Sequence, residues 1–184
     1  MQKGLIELKL YIKQKVFSWN DKFTVTDENG NDRFTAAGKL PTTFVTGKHI
    51  SVSDENGNTV ASVRHKMKGF SLAPRFIVEV NGREVCEVVK KFTFFSHKYN
   101  IEGLSWQLEG DFTGHDYEVQ NGSQVVMKLS KKLISLGDSY ELDIADPNNE
   151  LICLCIALAV DCSLAAPEQL QRQYRRDMTR IRRG

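Results

Sequence analysis

The sequence predicts a mainly β protein: a twelve-stranded closed antiparallel barrel enclosing a central hydrophobic C-terminal helix. Three observations predict it. Asn-Gly occurs four times, at Asn29-Gly30, Asn56-Gly57, Asn81-Gly82 and Asn121-Gly122, among residues that alternate apolar and polar. Asn-Gly between alternating segments is the strongest short-range hairpin signal, because both residues tolerate the positive φ of a type I′ turn. The turns also repeat: Asp27-Glu-Asn-Gly-Asn31 returns as Asp54-Glu-Asn-Gly-Asn58. Finally, LICLCIALAVDCSLA at 151–165 is a long apolar run that does not alternate.

A second kind of turn lies between the Asn-Gly turns. It reads Phe17-Ser-Trp-Asn-Asp21, Phe70-Ser-Leu-Ala-Pro74, Phe95-Ser-His-Lys98, Phe112-Thr-Gly-His-Asp116 and Ile134-Ser-Leu-Gly-Asp138, with Leu40-Pro-Thr-Thr-Phe-Val-Thr-Gly47 in the same place of the second unit. Six two-stranded units result. The strands fall at about 9–18, 22–27, 32–40, 47–54, 59–69, 74–80, 83–95, 98–103, 104–112, 115–120, 123–134 and 138–144. Consecutive antiparallel strands on short turns make a meander, and closing a meander removes both exposed edges. Eight strands enclose a space that side chains fill, so twelve leave room for a helix.

The run 151–165 supplies that helix. Fifteen residues span about 22 Å as an α-helix. That is short of the roughly 20 apolar residues a membrane crossing needs, and Asp161 interrupts it. A helix apolar on all sides is buried on all sides. Asp146-Pro-Asn-Asn-Glu150 leads into it, with Asn148 or Asn149 as N-cap. Residues 1–166 are thus expected to form the barrel and helix. Residues 167–184 are expected to form a basic tail, either helical or disordered.

Composition bounds the rest. Lys and Arg number 25 and Asp and Glu 23, so the net charge is +2. The tail carries six arginines against two acids. A near-neutral body with a short basic tail does not fit a dedicated nucleic-acid binder. Cys86, Cys153, Cys155 and Cys162 contain no CxxC pair. They are expected to be buried reduced thiols in a cytosolic protein. The N-terminus alternates charge and apolarity and has no apolar core of signal-peptide length. No transmembrane segment is expected.

The residues KQKVFSWNDKFTVTDENGN, KKFTFFSHKYNIEGLSWQLEGDFTGHDYEV and KKLISLGDSYELDI resemble the repeats of the LURP-one-related family, within the tubby-like C-terminal superfamily. The resemblance covers roughly residues 8 to 165 and implies a twelve-stranded barrel around a central helix. Superfamily relatives include the tubby proteins, which bind phosphoinositides, and the phospholipid scramblases. The resemblance carries over no enzymatic activity. The tail after Pro167 lies outside it.

Motifs for chemistry are sparse. GxGxxG, Walker A and GxSxG are absent. His49, His65, His97 and His115 lie far apart without zinc spacing, and neither DENGN copy continues into an EF-hand loop. His115-Asp116 point to opposite faces if they lie in a strand, and Asp161 reads as a helix-end residue reaching a donor. No metal, cofactor or catalytic site is expected.

One distribution stands out. Lys13, Lys15, Lys39, Lys66, Lys68, Lys90, Lys91, Lys131 and Lys132 all fall in the second half of odd-numbered strands. A meander gathers those strand ends at the pole of the aromatic-Ser turns and the acidic Asn-Gly turns at the other. The lysines read either as solvated outward positions or as a surface for anionic headgroups, with Trp19, Phe44 and Phe70 near the rim and Arg175, Arg176 and Arg180 adding from the tail. The expected function is a non-enzymatic module binding anionic phospholipid or phosphoinositide headgroups, cytoplasmic and peripheral at the membrane. The alternative is a soluble protein-interaction or scaffold protein.

Overall fold

The computed structural model describes residues 7–13, 22–39, 49–66, 75–91, 98–111, 114, 116–134 and 137–163. They form twelve strands: β1 (Leu8–Lys13), β2 (Lys22–Asp27), β3 (Asp32–Lys39), β4 (His49–Ser53), β5 (Thr59–Lys66), β6 (Arg75–Val80), β7 (Arg83–Lys91), β8 (Lys98–Glu102), β9 (Trp106–Asp111), β10 (Asp116–Asn121), β11 (Gln124–Ile134) and β12 (Gly137–Ile144). Each pairs antiparallel with its neighbours in sequence, and β1 closes on β12 from Leu8↔Ile144 to Lys13↔Ser139. The closed twelve-stranded barrel follows the sequence expectation. The expected extensions of β1, β4, β5 and β7 at the aromatic-Ser turns lie outside the described residues. β9 begins two residues later than expected, because Gly103, at φ +96, heads a turn through Leu104 and Ser105.

The Asn-Gly turns are not all of one type. Only at Asn81-Gly82 do both residues take positive φ, +50 and +75, as type I′ requires. The repeated DENGN turns instead close on Asp: Gly30 N donates to Asp27 O at 3.1 Å, and Gly57 N to Asp54 O at 3.0 Å. Gly30 and Gly57 alone take positive φ there, and a bulge follows in each hairpin. This is a type I turn followed by a left-handed glycine. The aspartate carboxylates decide it. Asp27 Oδ1 accepts from the backbone N of Asn29 and Asn31 at 2.9 and 2.8 Å, and Asp54 repeats the pattern with Asn56 and Asn58 at 3.0 and 2.8 Å. The Asn31 hydrogen bond holds the Asp27 carboxyl below the usual range.

The helix, α1, occupies residues 150–163 of the described chain; the expected residues 164 and 165 lie outside the described residues. Its entry differs from expectation. A 3₁₀ turn, Pro147–Asn149, precedes it and is capped by Asp146, so the expected caps Asn148 and Asn149 lie within that turn. Asp146 Oδ1 accepts from Asn148 N at 2.9 Å, with Pro147 in the first turn where no N–H is needed. From Cys153 to Val160 no residue is more than 4% exposed. The inward residues of every strand pack against this helix, among them Leu10, Val25, Val52, Val78, Val88, Leu142 and Ile144. The barrel and helix thereby bury each other's apolar surface.

Cys86, Cys153, Cys155 and Cys162 are buried and form no disulfide with one another. Burial pushes the thiols of Cys86 and Cys153 up to about 12 and that of Cys155 higher still. A thiolate is the reactive species, so a thiol reagent at neutral pH is expected to label these cysteines only as fast as the whole domain opens. Rapid labelling of the native chain, compared with a denatured control, would show that the helix is accessible.

Candidate functional site

The strand ends place charge along the barrel axis. Odd-numbered strands run toward the aromatic-Ser pole, and four of them end there in lysine: Lys13 of β1, Lys39 of β3, Lys66 of β5 and Lys91 of β7. β11 passes Lys131 and Lys132 near the same end. Three further cations join them that an expectation drawn from odd strands omits. Lys22, Arg75 and Lys98 are the first residues of β2, β6 and β8, which return from that pole. The arc is interrupted where β9 ends in Asp111 and β10 begins at Asp116.

The register sets like charges face to face: Lys66 opposite Arg75, and Lys91 opposite Lys98. Like charges directly across a ladder destabilise it. At the first pair the cost is offset on the outer face. Glu87 accepts from both Lys66 Nζ and Arg75 Nη1, and Arg75 also reaches Glu102 Oε2 at 2.8 Å. Lys66 first, then Arg75, holds the Glu87 carboxyl below the usual range.

The lysines expected to form one outward surface therefore do not all do so. Lys13 is exposed. Lys66 is engaged by Glu87. Lys90 departs furthest. Strand residues two apart share a face, and Cys86 and Val88 belong to the core, so Lys90 points inward and is only 7% exposed. Lys39, Lys91, Lys131 and Lys132 hold register positions at the basic pole. Lys15, Lys68, Arg175, Arg176 and Arg180, with Trp19, Phe44 and Phe70, lie outside the described residues.

The opposite pole is acidic. Asp27, Glu28, Asp32, Asp54, Glu55, Glu84, Asp146 and Glu150 crowd it, against Arg33 and Arg83. Arg33 Nη2 contacts both carboxylate oxygens of Glu150 at 3.0 Å, tying β3 to the first residue of α1. The helix enters the barrel at this pole and leaves toward the basic one. Its macrodipole, positive at the N-terminus and negative at the C-terminus, matches that arrangement. Leu104, Trp106, Leu151 and Ile152 are half-buried at the acidic pole, packed on the edge of the core.

The interior changes character along the same axis. Near the end of α1 the wall contributes Tyr99, Tyr117 and Tyr140, all buried. The Tyr99 hydroxyl bonds Ser163 Oγ, which donates to Val160 O at 2.7 Å. Asp161, 8% exposed, lines a void of about 10 Å³ with Ile12, Tyr117, Leu129, Tyr140, Ala157 and Leu158. That is room for one water molecule. Burial pushes the Tyr117 hydroxyl well above its ordinary value, and the field of Asp161 adds to this. The Tyr99 and Tyr117 hydroxyls therefore stay protonated at neutral pH. Among the described residues, no helix is long and apolar enough to cross a membrane.

Comparison with known proteins agrees with this architecture. The LURP-one-related family model matches residues 8–161. An uncharacterized protein of Bacillus subtilis (strain 168), YxjI, is 38% identical over 157 residues, covering 85% of this chain and 94% of its own. The X-ray structure of a protein from Arabidopsis thaliana superposes with a TM-score of 0.53 at 15% identity, covering 86% of this chain and 98% of that one. At that identity the likeness is one of fold.

Proposed function

This chain belongs to the LURP-one-related family, and from that premise we propose that it is a non-enzymatic binding module whose basic pole rests on anionic phospholipid headgroups. The observation that carries the reading is the segregation of charge along the barrel axis. Lysines close β1, β3 and β7 and open β2 and β8 at one pole, while acids crowd the other. Such a molecule meets an anionic surface end-on. Lys91 and Lys98 hold facing register positions at that pole. The arginines of the tail add to the same reading. The protein would then be cytoplasmic and peripheral, held reversibly.

Each basic residue near a charged surface contributes about 1 kcal/mol, and screening acts within about 8 Å at physiological salt. Sedimentation with phosphatidylserine or phosphoinositide vesicles is therefore expected to show binding at low salt, weaker binding at physiological salt, and little to neutral vesicles. Changing Lys39, Lys91 and Lys132 together to Glu, or removing residues 168–184, is expected to lower binding at least tenfold, as loss of some 3 kcal/mol implies. If the parent fails to bind at low salt, the soluble protein-interaction module takes its place. That second reading has its own observation: half-buried Leu104, Trp106, Leu151 and Ile152 within the acidic pole, an apolar centre with a charged rim as protein interfaces have.

A further inference from the structure

The acidic pole carries charge that holding the fold does not account for. Asp27 and Asp54 gather the amides of their own turns. Asp146 caps the 3₁₀ turn, and Glu150 holds Arg33. Glu28, Glu55 and Glu84 do none of this. They are exposed, one at each of three successive turns, β2–β3, β4–β5 and β6–β7, and no hydrogen bond or ion pair among the described residues engages them. The same pole is apolar at its centre. Strand residues two apart share a face, so Leu8 continues the inner face of Leu10 and Ile12, Val80 that of Phe76 and Val78, and Trp106 that of Leu108. At the mouth where α1 enters, these side chains stay half-buried, as do Leu104 in the β8–β9 turn and Leu151 and Ile152 in the first turn of the helix. Going round the barrel, the three acidic turns are followed by the β8–β9 turn with Leu104 and Trp106, then by the uncharged β10–β11 turn. Apolar surface rimmed by charge marks a protein docking surface.

We propose that the acidic pole docks a short Lys/Arg-rich segment of another protein, with an apolar side chain of that segment anchored beside Trp106. This rests on the protein-interaction reading given above and names its partner; it is independent of the lipid reading, which uses the other pole. Charge complementarity selects the occupant. The carboxylates lie along successive turns and do not converge: among the described residues, no three ligating side chains could hold a metal ion. Charge spread in this way fits several cations strung on a chain, not a single ion. Nucleic acid and anionic lipid are repelled. Tryptophan is among the residues that most often anchor such contacts. A second copy of this chain fits less well, because a basic pole set on an acidic pole is a head-to-tail contact that propagates without closing. On a membrane the acidic pole faces away from the anionic surface, so one module can hold both.

The test uses the full chain and three labelled peptides of equal length: one of lysine, arginine and leucine, one with serine in place of leucine, and one with glutamate in place of the basic residues. Fluorescence anisotropy at low salt is expected to show the first bound, the second several-fold weaker and the third unbound, with binding falling at physiological salt. Glu28→Gln, Glu55→Gln and Glu84→Gln combined, all at exposed positions, are expected to weaken the first peptide about tenfold and to leave vesicle binding as in the parent. Trp106→Ala is expected to bind the leucine and serine peptides alike; should it fail to fold, Leu104→Ser reads the same loss of discrimination. Equal binding of the first peptide by the parent and the glutamine variant overturns the proposal. If the glutamate peptide binds instead, the protein-interaction reading stands and the basic partner does not. A parent that binds none of the three overturns the proposal together with the reading it rests on. Sedimentation velocity of the parent alone that shows salt-sensitive self-association, lost in the glutamine variant, makes a second copy the occupant and likewise overturns it.

Discussion

Ile156→Asp is expected to leave no soluble folded protein. Ile156 lies midway along α1 and is 0% exposed, with Cys155 and Leu154 equally enclosed and Ala157 at 4%. It shares one apolar core with wall residues such as Val52, Val78, Val88 and Leu142, each 0% exposed. Removing the isoleucine loses about 1.5–3 kcal/mol of burial. Placing an unpaired carboxylate there costs several kcal/mol more, even if it takes up a proton to escape. A domain of this size is held by ~5–15 kcal/mol in all. The helix cannot move aside either, because the closed barrel surrounds it. Ile156→Val is the control: it keeps shape and polarity and should cost about 1 kcal/mol. Circular dichroism and thermal melting of the soluble fraction read both variants. An aspartate variant that melts with the parent would mean that α1 is not the core of the barrel.

The barrel was legible in the sequence because its two signals are local. Alternation marks each strand, and Asn-Gly or aromatic-Ser turns mark each reversal. The helix followed because an apolar run inside a twelve-stranded meander has one place to go. What was less legible depends on partners distant in sequence or on atoms finer than pattern. The turn type at Asn29-Gly30 is set by Asp27, whose carboxylate gathers the amides of Asn29 and Asn31; Asn-Gly alone does not distinguish that turn from the type I′ turn at Asn81-Gly82. The 3₁₀ turn that Pro147 opens and Asp146 caps ahead of the helix was not in the pattern, and it takes in both Asn148 and Asn149.

The candidate site was half legible. That lysines gather at one pole follows from counting residues between turns. Which of them face solvent does not follow from the count, although one clue lay in the open. Adjacent strand residues point to opposite faces, so Lys90 and Lys91 could not both point outward. The same holds for the register positions Lys131 and Lys132. The loss of Lys66 to Glu87 needed the order of β5, β6 and β7, since the two residues are 21 positions apart and meet across β6. Lys22, Arg75 and Lys98 were readable as strand starts beside the same turns.

Gly110→Ala is expected to be among the most damaging conservative changes outside the helix. Gly110 lies inside β9, opposite Tyr117 of β10, at φ +134. A Cβ there would sit 2.6 Å from both Asp116 O and Tyr117 Cα. Those are backbone atoms held by the β9–β10 ladder, so no side-chain rotation relieves the contact. The backbone conformation is itself strained for a residue with a Cβ, at about 1–3 kcal/mol, and a forced extra carbon in packed structure adds about 1–3 kcal/mol. The sum, roughly 2–6 kcal/mol, compares with ~5–15 kcal/mol for the domain. Gly57→Ala separates the two causes. Gly57 also has positive φ, +82, but an added Cβ meets nothing within 4 Å, so only about 1–2 kcal/mol of conformational cost is expected. Denaturant unfolding of the two variants beside the parent measures the difference. Equal losses would show that β9 can part from β10 without cost. A larger loss at Gly110 would show that β9 and β10 are held in close contact beside Tyr117, which lines the void with Asp161.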